Sequence, residues 1–359
     1  MTLSYRKVFL DRDFVEDKDG YLYCVVGYVH PPDRVLAYLK YVPTRSLDTI
    51  WFKGKVGYDR VLKYYSSVAV TESFKILKKV KPHYIYYDNV FNITFIGVPI
   101  SEIRKHYIPE ERLKEIIESG GNDELEQDLI ELVKCLSEIT NVKIQSFGIS
   151  GSILTSIHHP RYSDIDLTVY GIANSWTLIK VLREADGKDK IKLPEDNVIK
   201  EWALEVSKHH PLTPKEAYLI YVEKKMRLVF KESRVFSIHP ILLPEEVDEK
   251  YGDKIYVPKD LIKIKGKVVD NRLSIFLPGK YIVDDVSVLE GKREYSEIEE
   301  VVTFEGLYSG ILDVDEEFIA YGKVEEVHDR IKGRKYLRLV IGSAEAKGKD
   351  YIKPLRWLR

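Results

Sequence analysis

Between Phe147 and Gly171 the chain reads FGISGSILTSIHHPRYSDIDLTVYG, and no other stretch restricts the fold as tightly. Its last part, DIDLTVYG, alternates polar and apolar residues with the period of a β-strand. On such a strand Asp164 and Asp166 share one face, while Ile165 and Leu167 point the other way into a core. The preceding VKIQSFGI is also strand-like, and Gly148, Ser150, Gly151 and Ser152 then supply a run of small residues suited to a turn. SILTSIHH, between turn and second strand, reads as a short helix. The stretch therefore imposes a strand–turn–helix–strand unit with two carboxylates on the exposed side of its second strand.

Two neighbouring carboxylates repel, and each raises the pKa of the other. A chain tolerates this where a cation offsets it. Mg²⁺, or Mn²⁺ in its place, takes oxygen ligands and commonly pairs one or two carboxylates with phosphate oxygens. The turn adds free backbone N–H groups at a positive helix end, a setting that favours an anion. Ser152 can add a hydroxyl donor, with Ser150 beside it and Arg161 in the loop before Asp164. Ser163 stands where it can orient the Asp164 carboxylate. A carboxylate pair for metal beside a phosphate cradle is a layout for nucleotidyl transfer.

The Gly–Ser step, short helix and DID strand resemble the nucleotidyltransferase superfamily that includes DNA polymerase beta, poly(A) polymerases and CCA-adding enzymes. The resemblance spans residues 142–240. Over a longer span, VHPPDRVLAYLKYVP, SDIDLTVYG and EEVVTFEGLYSG look like an uncharacterised archaeal group of predicted nucleotidyltransferases. The resemblance implies a polymerase-beta-like core, a mixed sheet with helices on one side. It implies Mg²⁺-dependent transfer of a nucleoside monophosphate from a nucleotide triphosphate to an acceptor hydroxyl, on an RNA end or a protein. Asp164 and Asp166 would be catalytic and bind metal, and Gly151, Ser152, Ser150 and Arg161 would bind the nucleotide. The superfamily usually adds a third carboxylate from a later strand. Here the matching strand, RVFSIHPIL, offers Ser237 and His239 but no acid. Glu232, just before it, is the expected third catalytic acid, with His239 as a substitute. The alternative is a nucleotide- or nucleic-acid-binding module whose core has weak or no turnover.

The remaining sequence frames this core. A chain of 359 residues exceeds a single compact domain of roughly 100–150 residues, so two or three are expected. The reading is α+β: an N-terminal α/β domain over 1–121, the core over 122–250, and a small C-terminal β barrel or sandwich over 251–359. In the first part, GYLYCVVGYV and RVLAYLKYVP read as strands and VTESFKILKKVK as a helix starting near Thr71 and ended by Pro82. Ser101 is expected to cap a helix EIRKHYI, and Asn122 to cap the amphipathic helix NDELEQDLIELVKCLSEIT. Thr213–Pro214 reads as N-cap and first residue of another helix. The helices around residues 196–226 are expected to shape the nucleobase or acceptor pocket. From about Lys254, short strands recur between Gly, Asp and Asn turns. One of these segments carries Lys335, Tyr336 and Arg338, either an ordinary charged surface or a stacking face for single-stranded nucleic acid.

Composition narrows the partners. With 44% hydrophobic and 31% charged residues the chain is a folded, soluble protein, and a net charge of −1 gives no global field for polyanions. Cys24 and Cys135 form no C-x-x-C and read as reduced and inert. No apolar run approaches the ~18–20 residues that span a bilayer, and the start MTLSYRKVFLDRDF has no apolar signal core, so a cytoplasmic protein without membrane contact is expected. Abundant Lys, Glu, Ile and Val with few Met and Gln point to a thermophile source. The His158–His159 and His209–His210 pairs read as loop or helix-end residues rather than chelates, because adjacent residues on a helix diverge.

Overall fold

The computed structural model describes residues 8–46, 48–62, 67–184, 190–231 and 233–358. The fold is mixed α+β, with three sheets among the described residues. The first is an eight-stranded, wholly antiparallel sheet, with Arg34–Thr44 joining its two parts. That strand pairs on one side with Leu22–Val25 and on the other with Val56–Arg60, and Ile93–Pro99 joins it as half of a hairpin with Ile85–Asp88. The helix Ser67–Val80 packs against it, so the helix begins a turn before Thr71.

The helix expected after Ser101 does not form. Ser101 lies in a single 3₁₀ turn, and Ile103–Tyr107 is a strand paired with Phe14–Asp17. The sheet edge at Phe14–Asp17 supplies backbone partners, and the Tyr107 hydroxyl donates to the buried Glu16. Tertiary pairing outweighs the weak local preference for a helix.

The second sheet has five strands in the order Ile191–Lys192, Arg227–Phe230, Arg234–Ile241, Ile165–Tyr170, Phe147–Ile149. It is mixed: Ile165–Tyr170 runs parallel to Arg234–Ile241 and antiparallel to Phe147–Ile149. Ile165, Leu167 and Val169 are fully buried against Leu129, Leu132, Val133 and Leu136 of the helix Glu124–Thr140 and against Leu178 and Leu182 of the helix Ile172–Glu184. The N-cap of Glu124–Thr140 is Asp123, one residue beyond Asn122, and its carboxylate accepts from the N–H groups of Leu125 and Glu126. Asn122 instead donates to Glu126. Thr213 caps Pro214–Lys224 in a complete capping box with Glu216.

In the third sheet, Lys254–Leu273, Gly279–Glu290, Ile298–Thr303, Arg334–Ile341 and Glu317–Asp329 pair in turn, and the last pairs back with the first. Five strands thus close a small barrel, which removes its free edges. Ile262, Ile264, Val268, Tyr281, Val301 and Leu339 fill it. The helices Asp196–His209 and Pro214–Lys224 pack against the barrel through Ala203, Ala217 and Ile220. Tyr336 and Arg338 are buried rather than displayed on its surface.

The three sheets contact one another in a ring. The Ser150 hydroxyl donates to the carbonyl of Arg12 at 2.8 Å, joining the first sheet to the second. Arg183, Lys353 and Trp176 join the second region to the barrel. The hairpin tip closes the ring: the Tyr256 N–H donates to the Val90 carbonyl at 3.0 Å, and Asn92 donates to the Tyr256 carbonyl at 2.8 Å. The middle of the ring is a cavity of about 1610 Å³.

Candidate functional site

The carboxylate face of the central sheet lines this cavity. Register builds it row by row. Asp166 lies opposite Ser237, and Ser237 lies opposite Arg227, so three adjacent strands place these side chains in one line. Thr168 and His239 form the next row. Asp164 sits just before its strand, and its carboxylate accepts from the Arg227 guanidinium at 2.7 Å.

The Ser237 hydroxyl donates to Asp166 Oδ1 at 2.8 Å and lies 2.9 Å from His239 Nε2. A hydroxyl has one proton, and Asp166 receives it, so Nε2 is the protonated nitrogen that donates to Ser237. Burial alone would raise the Asp166 carboxyl. The His239 ring with Nε2 3.6 Å away, the Lys40 ammonium and the Ser237 hydroxyl outweigh it and hold the group well below the usual carboxylate range. Burial also raises Asp164, with the Arg227 guanidinium opposing and the Asp166 charge reinforcing the shift. Burial and the Arg12 guanidinium push the His239 imidazole down to about 4, against the pull of Asp166. The pair thus has one firmly ionised carboxylate and one held by a single exchangeable ion pair.

Gly151 ties the turn to this pair. Its φ of +65° lies in the left-handed region, and a Cβ there would stand 2.2 Å from Asp166 Oδ2. Only a glycine lets the second aspartate rest against the turn. The Ser150 N–H donates to the Asp166 carbonyl at 2.8 Å, fixing the two segments side by side. Ser152 is buried in the single-turn helix Gly151–Leu154, and its hydroxyl has no hydrogen-bond partner among the described residues. Arg161 is exposed, and among the described residues its guanidinium forms no ion pair with either aspartate. Glu232 lies outside the described residues.

Ser163 does not orient Asp164. Its hydroxyl accepts from the His159 N–H at 3.0 Å and closes the loop instead. His158 bonds to Asp123 at 2.8 Å and His159 packs on Tyr162, so both are spent on the loop. Among the described residues no group of three or more His, Cys, Asp and Glu side chains is arranged to hold a metal. Asp164 and Asp166 alone suit a hard ion that keeps water and takes its remaining oxygens from a phosphate ligand.

Local sequence did not reveal the cations around the pair. Lys40, 4% exposed, and Arg12 come from the first sheet region, Arg60 from its strand Val56–Arg60, and Arg227 from the second sheet. Lys40 acts on Asp166 and, with Arg12, on His239, and Arg60 acts on Asp164. The one readable signal was a lysine inside the otherwise apolar run RVLAYLKYV.

No helix among the described residues is long and apolar enough to cross a membrane. No family model matches the chain, and no solved structure matches it. Over 353 residues it is 30% identical to the uncharacterized protein MJ1086 of Methanocaldococcus jannaschii, covering 95% of this chain and 98% of that protein. The shared length takes in the N-terminal sheet, the aspartate strand and the barrel alike, and the expected archaeal kinship holds at this level. The chain belongs to the family of MJ1086.

Proposed function

We propose that the protein is a Mg²⁺-dependent nucleotidyltransferase with a polymerase-beta-like core. The observation that carries this reading is the contact of Gly151 with Asp166, where the absence of a side chain joins a Gly–Ser turn to a carboxylate pair. A mixed sheet with helices on its Ile165–Leu167 face supports the same core. Bound at Asp164 and Asp166, the ion would neutralise charge on the transferring phosphate and favour the attacking hydroxyl. The Ser152 hydroxyl and the N–H groups of the turn bind the triphosphate. Arg227 releases Asp164 and neutralises a phosphate oxygen in exchange. Lys40 keeps Asp166 ionised, and Ser237, held by His239, fixes its carboxylate plane. In the reaction the acceptor oxygen bonds to the α-phosphorus. The bond from that phosphorus to the bridging oxygen breaks, pyrophosphate leaves with the electron pair, and the hydroxyl proton passes to water.

The test incubates the protein with Mg²⁺, the four ribonucleotide triphosphates labelled at the α-phosphate, and RNA, protein and small-molecule fractions of a cell extract. An Asp164→Ala/Asp166→Ala variant runs beside it. Label transferred by the wild type alone is the expected result. Mg²⁺-dependent nucleotide binding without transfer would favour the binding-module reading, in which Ser237 and His239 stand in place of a third acid without its chemistry.

A further inference from the structure

The cavity is larger than one nucleotide requires. Ligand pockets commonly enclose ~300–1,000 Å³, whereas this one holds about 1610 Å³ and runs from the aspartates to the barrel. Its two ends differ in charge. Around the aspartates, Arg12, Lys40, Arg60 and Arg227 exceed Asp11, Asp164 and Asp166. At the barrel, the lining cations Lys323 and Arg338 meet the carboxylates Glu249, Glu325 and Glu345.

Both of those cations are engaged. Lys323, 3% exposed, bonds to Glu325 at 2.9 Å and to Glu345 at 3.2 Å. Arg338 clasps Glu325 through two nitrogens at 2.8 and 3.0 Å and lies 3.7 Å over the Tyr256 ring. Glu249 accepts from the Tyr256 hydroxyl and from Lys254. Elsewhere along the barrel side, Glu205, Asp248 and Glu305 outnumber Lys224 and Lys280. Among the described residues this end offers a phosphate chain one cation outside an ion pair, Lys224, which donates to the Gly306 carbonyl, and confronts it with carboxylates. Between the charges the wall is apolar: Trp202, Phe276, Leu307 and the exposed Phe304 line it. An apolar wall with polar groups at its ends is the usual lining of a small-molecule pocket.

We infer that the barrel end of the cavity is a chamber for a small, apolar-bodied hydroxyl compound of neutral or positive charge, and that this compound is the acceptor. The second half of the inference rests on the transferase reading; the first does not. Charge complementarity selects the occupant: an acidic, apolar compartment beside a basic one repels a polynucleotide and admits an uncharged or cationic molecule. The nucleotide would occupy the basic end, and the acceptor hydroxyl would point across the boundary to Asp164 and Asp166.

Two probes test the chamber with the full chain and no nucleotide. N-phenyl-1-naphthylamine is neutral and apolar, and 1-anilinonaphthalene-8-sulfonate is its close anionic analogue. The neutral dye should bind at least tenfold more tightly, Phe304→Ser should weaken it about tenfold, and Glu345→Gln should narrow the preference over the sulfonate. A 20-nucleotide single-stranded RNA should not displace it. Equal binding of both dyes, displacement by RNA, or a neutral-dye affinity indifferent to Phe304→Ser would overturn the chamber. The labelled-nucleotide experiment tests the acceptor separately. Label in a low-molecular-mass product is expected, whereas label in RNA or polypeptide overturns the assignment and leaves the transferase standing. No transfer to any fraction removes both the transferase and the acceptor role, and the dyes still decide whether the chamber exists.

Discussion

One cavity brings together two groups of charges built on opposite plans. At the barrel, Lys323, Glu325 and Arg338 saturate one another with ion pairs of 2.8 to 3.0 Å, and all three are buried. At the central sheet, Asp164 rests on the partly exposed Arg227 guanidinium, the Ser152 hydroxyl has no hydrogen-bond partner among the described residues, and Asp166 is pressed against a glycine. A closed network has no bonding capacity left for a ligand and costs desolvation that its own contacts must offset. An open one has bonding capacity waiting for a partner. On the proposed reading the first shapes and charges the compartment, and the second performs the chemistry in it. Strong burial of charge alone would have pointed to the wrong end.

Variants can break this contrast, beginning with the largest effect. Asp164→Ala/Asp166→Ala should abolish transfer, a loss of at least about 10³-fold, in a protein that keeps the circular dichroism and elution volume of the wild type. Asp166 is the counter-charge of buried Lys40, so some loss of stability in urea accompanies the change; transfer retained by the folded variant would place the pair in the structural class. Glu325→Leu should do the opposite. It takes from buried Arg338 its ion-pair partner and leaves Lys323 with Glu345 alone, and should cost about 3–5 kcal/mol of stability. Adding Lys323→Met and Arg338→Met should restore most of it, and denaturant melts of the single and triple variants would measure the recovery. A smaller effect is expected for Gly151→Ala, about 2–3 kcal/mol from a strained φ and the clash with Asp166. Its diagnostic sign is nucleotide affinity falling along with stability, read by titration with a fluorescent nucleotide.

The smallest effect concerns a histidine in neither cluster. His30 lies 3.2 Å from the Phe9 carbonyl through Nε2 and accepts from the Leu36 N–H through Nδ1, also at 3.2 Å. Burial pushes it down to about 4. Between that value and the unfolded 6.5 the unfolded chain binds the extra proton, so stability is complete above pH 6.5 and declines as pH falls toward 4. From pH 7 to pH 5 His30 alone should account for a loss of about 2 kcal/mol, and His30→Gln should reduce the slope by that share. An unchanged slope would assign the acid sensitivity to His210 and His239, which burial likewise lowers to about 4.

The sequence made some of this legible and hid the rest for physical reasons. Alternation around Ile165 and Leu167 exposed the aspartate face, because the period of a strand is written in adjacent residues. The regular turns after Lys254 announced a run of strands for the same reason, but not their length: Lys254–Leu273 spans 20 residues and Glu317–Asp329 spans 13, and barrel closure follows from their pairing. The segment after Ser101 misled because IRKHY suits a helix or a strand until a partner strand is present. Asn122 and Asp123 are both good caps, and a one-residue offset is settled by geometry alone. Lys40, Arg12 and Arg60 were invisible as site residues because they stand more than 100 positions before Asp164 and meet it only through the docking of two sheets. Tyr336 and Arg338 look like surface residues by type, and it took the barrel to bury them.

The hairpin tip at Val90 and Asn92 grips strand residue Tyr256 across a sequence gap longer than the whole central sheet. On a chain emerging from the ribosome, the first sheet and the aspartate strand are made well before residue 256 is available. Until the barrel strand arrives, the hairpin has nothing to hold, and the face carrying Asp164 and Asp166 lies open to water. Assembly order thus acts as a delay on reactivity, because the compartment that would bring nucleotide and acceptor together is the last part of the molecule to exist.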